Sequence, residues 1–340
     1  MREAMFIKKN AEKWKEYQHS PTDNPDETAE RFITLIDDLS YAKTFYPRSK
    51  VTRWINGIAA GIYQSIYKNK KEKYSRIFDF WKFEQPLLFK KYHRVFLFTT
   101  ICFLLFVAIG VFSSMYNENF VRGVLGDGYV DMTERNISNG DPFGVYKDDN
   151  PFSMFITIGF NNIKVAFLAF IFGFTLGIFT MWIMWTNGLM LGCFQYMFFS
   201  KGLGIKSVLV IWIHGTLEIS SIIIAATAGM ILASGILFPG TFSRMDSFRR
   251  GIKDAAKVLL ALIPFFITAA FFESYVTHLM SQTYDKDNNA GLPVWASVSI
   301  LALSFIFIVW YFIILPIRLN KKGYYIQPDG IIHRLKEEHA

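Results

Sequence analysis

The sequence predicts an all-α, polytopic membrane protein of about six transmembrane helices, preceded by an N-terminal cytoplasmic helical domain. Three observations carry this reading. Of the 340 residues, 52% are hydrophobic and 17% aromatic beside 19% charged, an apolar excess that a soluble chain of this charge does not carry evenly. The excess is gathered into runs near 95–112, 163–185, 207–234, 255–279 and 293–315, each long enough to cross a hydrocarbon layer of about 30 Å, with a shorter run at 188–203. Charge is also distributed unevenly: 19 Lys/Arg stand against 12 Asp/Glu before residue 95, whereas 113–151 holds 3 against 7. By the positive-inside rule the first region is cytoplasmic and the second lies outside.

Residues 1–91 form the cytoplasmic domain. The first residues, Met1-Arg2-Glu3-Ala4-Met5, are charged and lack the apolar stretch of a secretory signal, so this end is expected to be retained. Phe32, Leu35, Ile36 and Leu39, then Trp54, Ile55, Ile58, Ile62 and Ile66, recur three and four residues apart, as helices burying one face require. Breaks fall around Pro21 to Pro25 and at Tyr46-Pro47. At the end of the domain, residues 76–91 mix Phe78, Phe80, Trp81 and Phe83 with Lys82, Lys90 and Lys91, the composition of an elbow helix lying on the membrane surface. A last helix of the soluble bundle is the alternative.

Residues 92–316 form the transmembrane bundle. Its outer loop, 113–151, is acidic and rich in turn signals such as Gly126-Asp127-Gly128 and Asn139-Gly140-Asp141-Pro142. It lacks the aspartate spacing of a calcium loop and reads as a solvated acidic segment. The connection 240–257 carries Arg244, Arg249, Arg250, Lys253 and Lys257, and the basic tail, 317–340, carries Arg318, Lys321, Lys322, Arg334 and Lys336. Both are cytoplasmic only if 188–203 crosses the membrane, which leaves Lys201 and Lys206 outside against the rule. Six spans with both termini cytoplasmic follow, which in a bacterium places the chain in the inner (cytoplasmic) membrane. The net charge of +8 beside a bilayer fits anionic lipid headgroups rather than nucleic acid. Cys102 and Cys193 fall inside apolar runs and read as packing residues.

Within the apolar runs stand His214, Lys164, Glu218 and Glu273, with Lys201 and Lys257 near run ends and counted with the connections. A charge at mid-bilayer costs at least about 2.5–3.5 kcal/mol, so such groups face a bundle interior and find partners. His214 and Glu218 are four apart, one above the other on a helix face. With a helix entering from outside near 207 and another leaving near 279, His214 lies about 10 Å deep and Glu273 about 9 Å, at 1.5 Å per residue. The topology therefore predicts one cluster of His214, Glu218 and Glu273, with Lys164 free to snorkel or to neutralise Glu273. Three readings of the cluster stand open: a hydrogen-bonded packing network, a proton or ion relay, and metal binding or catalysis. His-x-x-x-Glu lacks the second histidine of a zinc-protease helix, so neither a metal nor a cofactor is assigned. Asn161 and Asn162 are expected to cap a helix start, and Asn187 and Gly188 to form a turn. Gly173 with Gly177, Gly188 with Gly192, and Gly215 are expected at helix-packing faces, which also allow a homodimer.

Taken in order, Leu39-Ser40-Tyr41-Ala42, Ile62-Tyr63-Gln64-Ser65, Asn161-Asn162, Asn187-Gly188, His214-Gly215-Thr216-Leu217-Glu218 and Glu273 resemble the stage II sporulation protein M family over roughly residues 1–280. The resemblance implies a multi-pass membrane protein without enzymatic activity, a membrane anchor that gathers partner proteins. It also implies company with other membrane proteins and with ATPases of the MoxR type in bacteria that do not sporulate. The acidic loop and residues 293–340 depart from a minimal member and leave the partner open. The function expected is thus a non-enzymatic membrane scaffold, with a small ion-coupled transporter or channel built on His214, Glu218 and Glu273 as the alternative. An intramembrane hydrolase is disfavoured, since the runs hold no Ser-His-Asp order and no two-histidine helix.

Overall fold

The computed structural model describes residues 2–20, 22, 24–67, 75–146, 150–285, 291–326 and 332–334. Lys147, Asp148, Asp149 and Lys336, counted above among the loop and tail charges, lie outside the described residues. The chain separates into two compact units, 1–76 and 77–340.

The first unit is a three-helix bundle: α1 (Glu3–His19), α2 (Pro25–Phe45) and α3 (Lys50–Tyr67). Asn24 caps α2 by accepting from the Asp26 amide, with Pro25 in the first turn. Phe6, Trp14, Leu35, Leu39, Val51, Ile55 and Ile58 fill the core. Trp14 is fully buried yet satisfied, its indole N–H donating to Asp38 at 2.8 Å. Lys13 balances the same carboxylate at 2.7 Å.

The second unit begins with α4 (Ser75–Asp79), a π turn (Phe80–Glu84) and α5 (Gln85–Lys91). Residues 76–91, expected to form an elbow on the membrane surface, divide into an exposed part and a buried part. Ile77 and Phe78 are exposed, but Gln85 to Phe89 are buried inside the unit. Their partners explain it: Phe89 packs edge-on against Phe312 at 4.6 Å, Gln85 donates to the Lys257 carbonyl at 2.6 Å, and Lys91 pairs with Asp254 at 2.6 Å.

The bundle helices follow as α6 (His93–Tyr116), α9 (Pro151–Ile171), α10 (Ile178–Ser200), α11 (Gly204–Leu237), the broken run α12 (Arg244–Leu260), α13 (Ile263–Phe271) and α14 (His278–Gln282), and finally α15 (Val294–Val309) with α16 (Leu315–Lys321). Between α6 and α9 lie two short helices, α7 (Glu118–Leu125) and α8 (Asp127–Ser138). By length and composition five of these runs are apolar enough to cross a membrane: 93–116, 151–175, 204–237, 244–282 and 294–321. The remaining long helix, α10, has 23 residues and no charge, its apolarity diluted by Thr180, Thr186, Asn187 and Gln195. Side-chain bonds fix its direction. Thr180 donates to the Ala169 carbonyl at 2.8 Å, and at the far end Gln195 donates to Ser207 at 2.9 Å. α10 therefore runs the length of the bundle antiparallel to both α9 and α11.

Two expected boundaries are corrected. The second span does not occupy 163–185; α9 starts at Pro151, capped by Asn150, and ends in a 3-10 turn, Phe172–Thr175. The chain then reverses through Leu176 at φ 58° and Gly177 at φ 83°, both left-handed. The third helix starts at Ile178 and runs unbroken through Asn187-Gly188, so no turn exists there. Apolar residues on both sides of the reversal fuse two helices into one hydropathic run. The segment 113–151 is also more folded than a loop. Arg122 gathers Asp131 at 2.6 Å and Glu134 at 3.2 Å, Lys201 reaches Glu134 at 2.9 Å, and Phe143 is buried, stacked on Phe198 at 5.5 Å. The tail contributes a short antiparallel hairpin, β1 (Tyr324–Ile326) with β2 (Ile332–Arg334), that composition alone did not suggest.

Small residues set the helix spacing. A side chain on Gly192 would strike the backbone of α6 at Gly110 Cα (3.0 Å) and Val111 N (2.9 Å), and one on Gly188 would meet Phe106 Cβ at 2.7 Å. Gly173 faces the backbone of Gly229. The outward faces of α6 and α15 stay large and apolar, with Leu97, Ile101, Leu104, Leu303, Phe305 and Ile306 all more than half exposed. Lipid is the solvent that suits such a belt.

Candidate functional site

The site is built by two antiparallel helices and one irregular turn. α11 presents His214 and Glu218 on one face, one helical turn apart. Opposite, the helix after α13 widens into a π turn, Phe272–Thr277, which carries Glu273 and Thr277. Such turns recur where a helix must re-aim a side chain. His214 is buried; its Nδ1 lies 2.9 Å from the Thr277 hydroxyl, and its Nε2 faces Glu273 Oε1 at 3.8 Å. That second distance is an electrostatic contact and too long for a hydrogen bond. One ligand atom from each of His214, Glu218 and Glu273 lies within 4.8 Å of the others.

α9 closes the third side. Asn162 is buried, at 5% exposure, and turns its amide toward Glu218. The contact falls short of good hydrogen-bond geometry, and Nδ2 has no hydrogen-bond partner.

Two cavities flank these groups. One of about 320 Å³ is lined by His214, Gly215, Glu218, Trp212, Phe194 and Tyr129. The other, of about 340 Å³, is lined by Glu273, Ser153, Thr157 and again Tyr129. Tyr129, from α8, borders both. Burial, with the nearby Glu273 charge adding to it, pushes its phenol up to about 12, so it is a neutral hydroxyl at physiological pH.

The structure therefore brings together His214, Glu218 and Glu273, sets Asn162 and Gly215 beside them, and leaves Lys164, Asn161, Asn187 and Gly188 apart. Lys164 is exposed on a different face of α9 and lines an apolar cleft with Phe160, Ile163 and Phe167. Its two-residue offset from Asn162 turns it about 200° around the helix. Asn161 and Asn162 stand in the middle of α9 and cap nothing; Asn150 is the cap. Asn187 returns its amide to the Ile183 carbonyl at 2.8 Å inside α10. Gly188, expected in a turn, packs on α6. Gly177, expected at a packing face, lies against Met230 and Ala233 of α11 and also forms the reversal. Gly215 meets nothing within 4 Å and opens onto the first cavity instead of holding two helices together. Sequence reasoning missed Thr277 and Tyr129. Thr277 had a signal, four residues beyond Glu273 on the same side of one run; Tyr129 had none.

A family model described as Stage II sporulation protein M matches residues 99–278, a stretch that includes Asn162, His214, Glu218, Glu273 and Thr277. A second, described as a domain of unknown function (DUF8413), matches residues 4–68, nearly the whole three-helix unit. No curated protein and no solved structure matches.

Proposed function

The chain belongs to the stage II sporulation protein M family, and from that premise we propose that it is a non-enzymatic membrane scaffold that assembles partner proteins at the cytoplasmic membrane. The observation that carries this reading is the division of the chain into two separately cored units, one of spans and one of three soluble-type helices. A domain with its own core, tied to a set of spans, suits the presentation of a binding surface at a membrane. Charge supplies the orientation. Arg94, Arg244, Arg249, Lys253, Arg318 and Lys321 lie at one end of the spans, and Asp127, Asp131, Glu134 and Asp141 in the segment at the other. The positive-inside rule then puts the basic end and both termini in the cytoplasm. The partners are other membrane proteins and, on the family resemblance, an ATPase system of the MoxR type.

Gentle extraction of the tagged full chain from native membranes, after cross-linking, tests the scaffold. Defined partners should co-purify, and deletion of residues 2–67 should remove at least one of them while the spans still insert. Recovery of the chain alone, with or without those residues, refutes the scaffold.

A second reading, an ion-coupled transporter or channel, draws on the two cavities that meet His214, Glu218 and Glu273. Proteoliposome flux that disappears in Glu218→Gln supports it. Absence of flux in the wild type removes it.

A further inference from the structure

We propose that His214, Glu218 and Glu273 form a binding site for a first-row divalent cation of the zinc type, held between α11 and the π turn and reached from the acidic end of the bundle. The inference does not rest on the scaffold reading, and metal content and partner recovery fail independently.

The donor set comes first. One imidazole nitrogen and two carboxylates are ligands that zinc accepts, and their combined charge of −2 matches that of the ion. Ligands at about 2.0–2.1 Å from a tetrahedral zinc lie about 3.3 Å from each other. The observed mutual separations, 3.8 Å for His214 to Glu273 and all within 4.8 Å, close to that value by side-chain movements of at most about 1.5 Å. Without a cation, two carboxylates share this interior with no Lys or Arg paired to either among the described residues; Lys164, the cation expected from the sequence, points elsewhere.

The surroundings are those of a ligand sphere. Thr277 holds Nδ1 of His214 at 2.9 Å, which leaves Nε2 directed at Glu273, and hydrogen bonds of this kind orient metal-bound histidines. Asn162, 95% buried, carries an amide N–H pair with no partner and directs it at Glu218. An unsatisfied buried donor costs about 1–3 kcal/mol, and a carboxylate pulled into position by a metal, or a metal-bound water, supplies the acceptor. The π turn places Glu273 across from α11. Three protein ligands leave a fourth position, and the cavities on either side give it room.

The reason that the sequence did not assign a metal is also plain. His-x-x-x-Glu offers two ligands on one helix, and the third comes from a residue 55 positions later.

The test uses the full chain in mild detergent, stripped with a chelator and titrated with Zn²⁺ by calorimetry, with metal content measured after gel filtration. One Zn²⁺ per chain is expected. Glu273→Gln and Glu218→Gln should each weaken binding at least tenfold. Asn162→Ala should weaken it about tenfold as an outer-shell change, and Lys164→Gln should leave it unchanged. Co²⁺ added to the wild type should give the intense visible bands of four- or five-coordinate cobalt. An aquo-ion spectrum overturns the proposal even if every variant fails to fold. So does a wild type that retains no more zinc than the Glu218→Gln, Glu273→Gln double variant.

Discussion

Replacing Gly192 by alanine adds one methyl group where α10 meets α6. That methyl would sit 2.9 Å from Val111 N and 3.0 Å from Gly110 Cα, and closer still to the Val107 carbonyl. All three neighbours are backbone atoms, so no rotamer relieves the clash and the helices must part. Overpacking of this kind costs about 1–3 kcal/mol. Alanine also gains about 1 kcal/mol over glycine inside a helix. Gly215→Ala provides the control, because nothing lies within 4 Å of its added methyl and it keeps the helix gain. The two variants should therefore differ by about 1–3 kcal/mol, with Gly192→Ala less stable than the wild type or equal to it and Gly215→Ala slightly more stable. Far-UV circular dichroism during denaturant unfolding in detergent measures both. Equal stability of the two variants would refute the close α6–α10 approach.

Asp254→Asn removes the carboxylate that Lys91 and Tyr92 share and should cost about 1–3 kcal/mol, less than a fully buried pair because Lys91 is 37% exposed; the same unfolding assay reads it. Burial, reinforced by Asp254, raises the Tyr92 hydroxyl above its ordinary value. The folded state then holds this proton more tightly than the unfolded chain, so the contribution is full below about pH 10 and declines as pH rises above it. Tyr92→Phe should flatten that alkaline decline in a plot of stability against pH. Trp14→Ala empties a fully buried site and frees Asp38, a loss of about 3–5 kcal/mol, read as rapid proteolysis within residues 2–67 while the spans stay resistant. Single cysteines at Ser138 and Ser243, in a chain with Cys102 and Cys193 replaced, should react with an impermeant thiol reagent from opposite sides of the membrane; labelling from one side would refute the assigned topology.

The all-α membrane fold was legible because span-length apolar runs and loop charge survive any detail of packing. Boundaries were not. Leu176-Gly177 reverses the chain amid residues as apolar as the helices they join, whereas Asn187-Gly188, a turn signal by composition, sits inside a helix where glycine serves contact with α6. Hydropathy has no term for backbone handedness. The association of His214 with Glu273 followed from antiparallel helices of known rise, an argument that needs only span direction and depth. Lys164 was misplaced since position along a helix says nothing of rotation about it. The folding of 113–151 rests on Arg122, whose acidic partners lie within the same segment, and on Phe143, whose partner Phe198 lies far along the chain; neither pairing is marked by a local pattern.

The π turn at Phe272–Thr277 also makes length a more sensitive variable here than composition. A π turn holds one residue more than the α-helical winding it interrupts. Deleting one residue from it would restore an ordinary helix, leave hydropathy nearly untouched, and let both flanks keep their faces while the side chains within the turn are re-aimed. Glu273, which lies in the turn, would then lose the aim that brings it to α11. A chain shorter by this one residue would still insert and span, but without a third group beside His214 and Glu218.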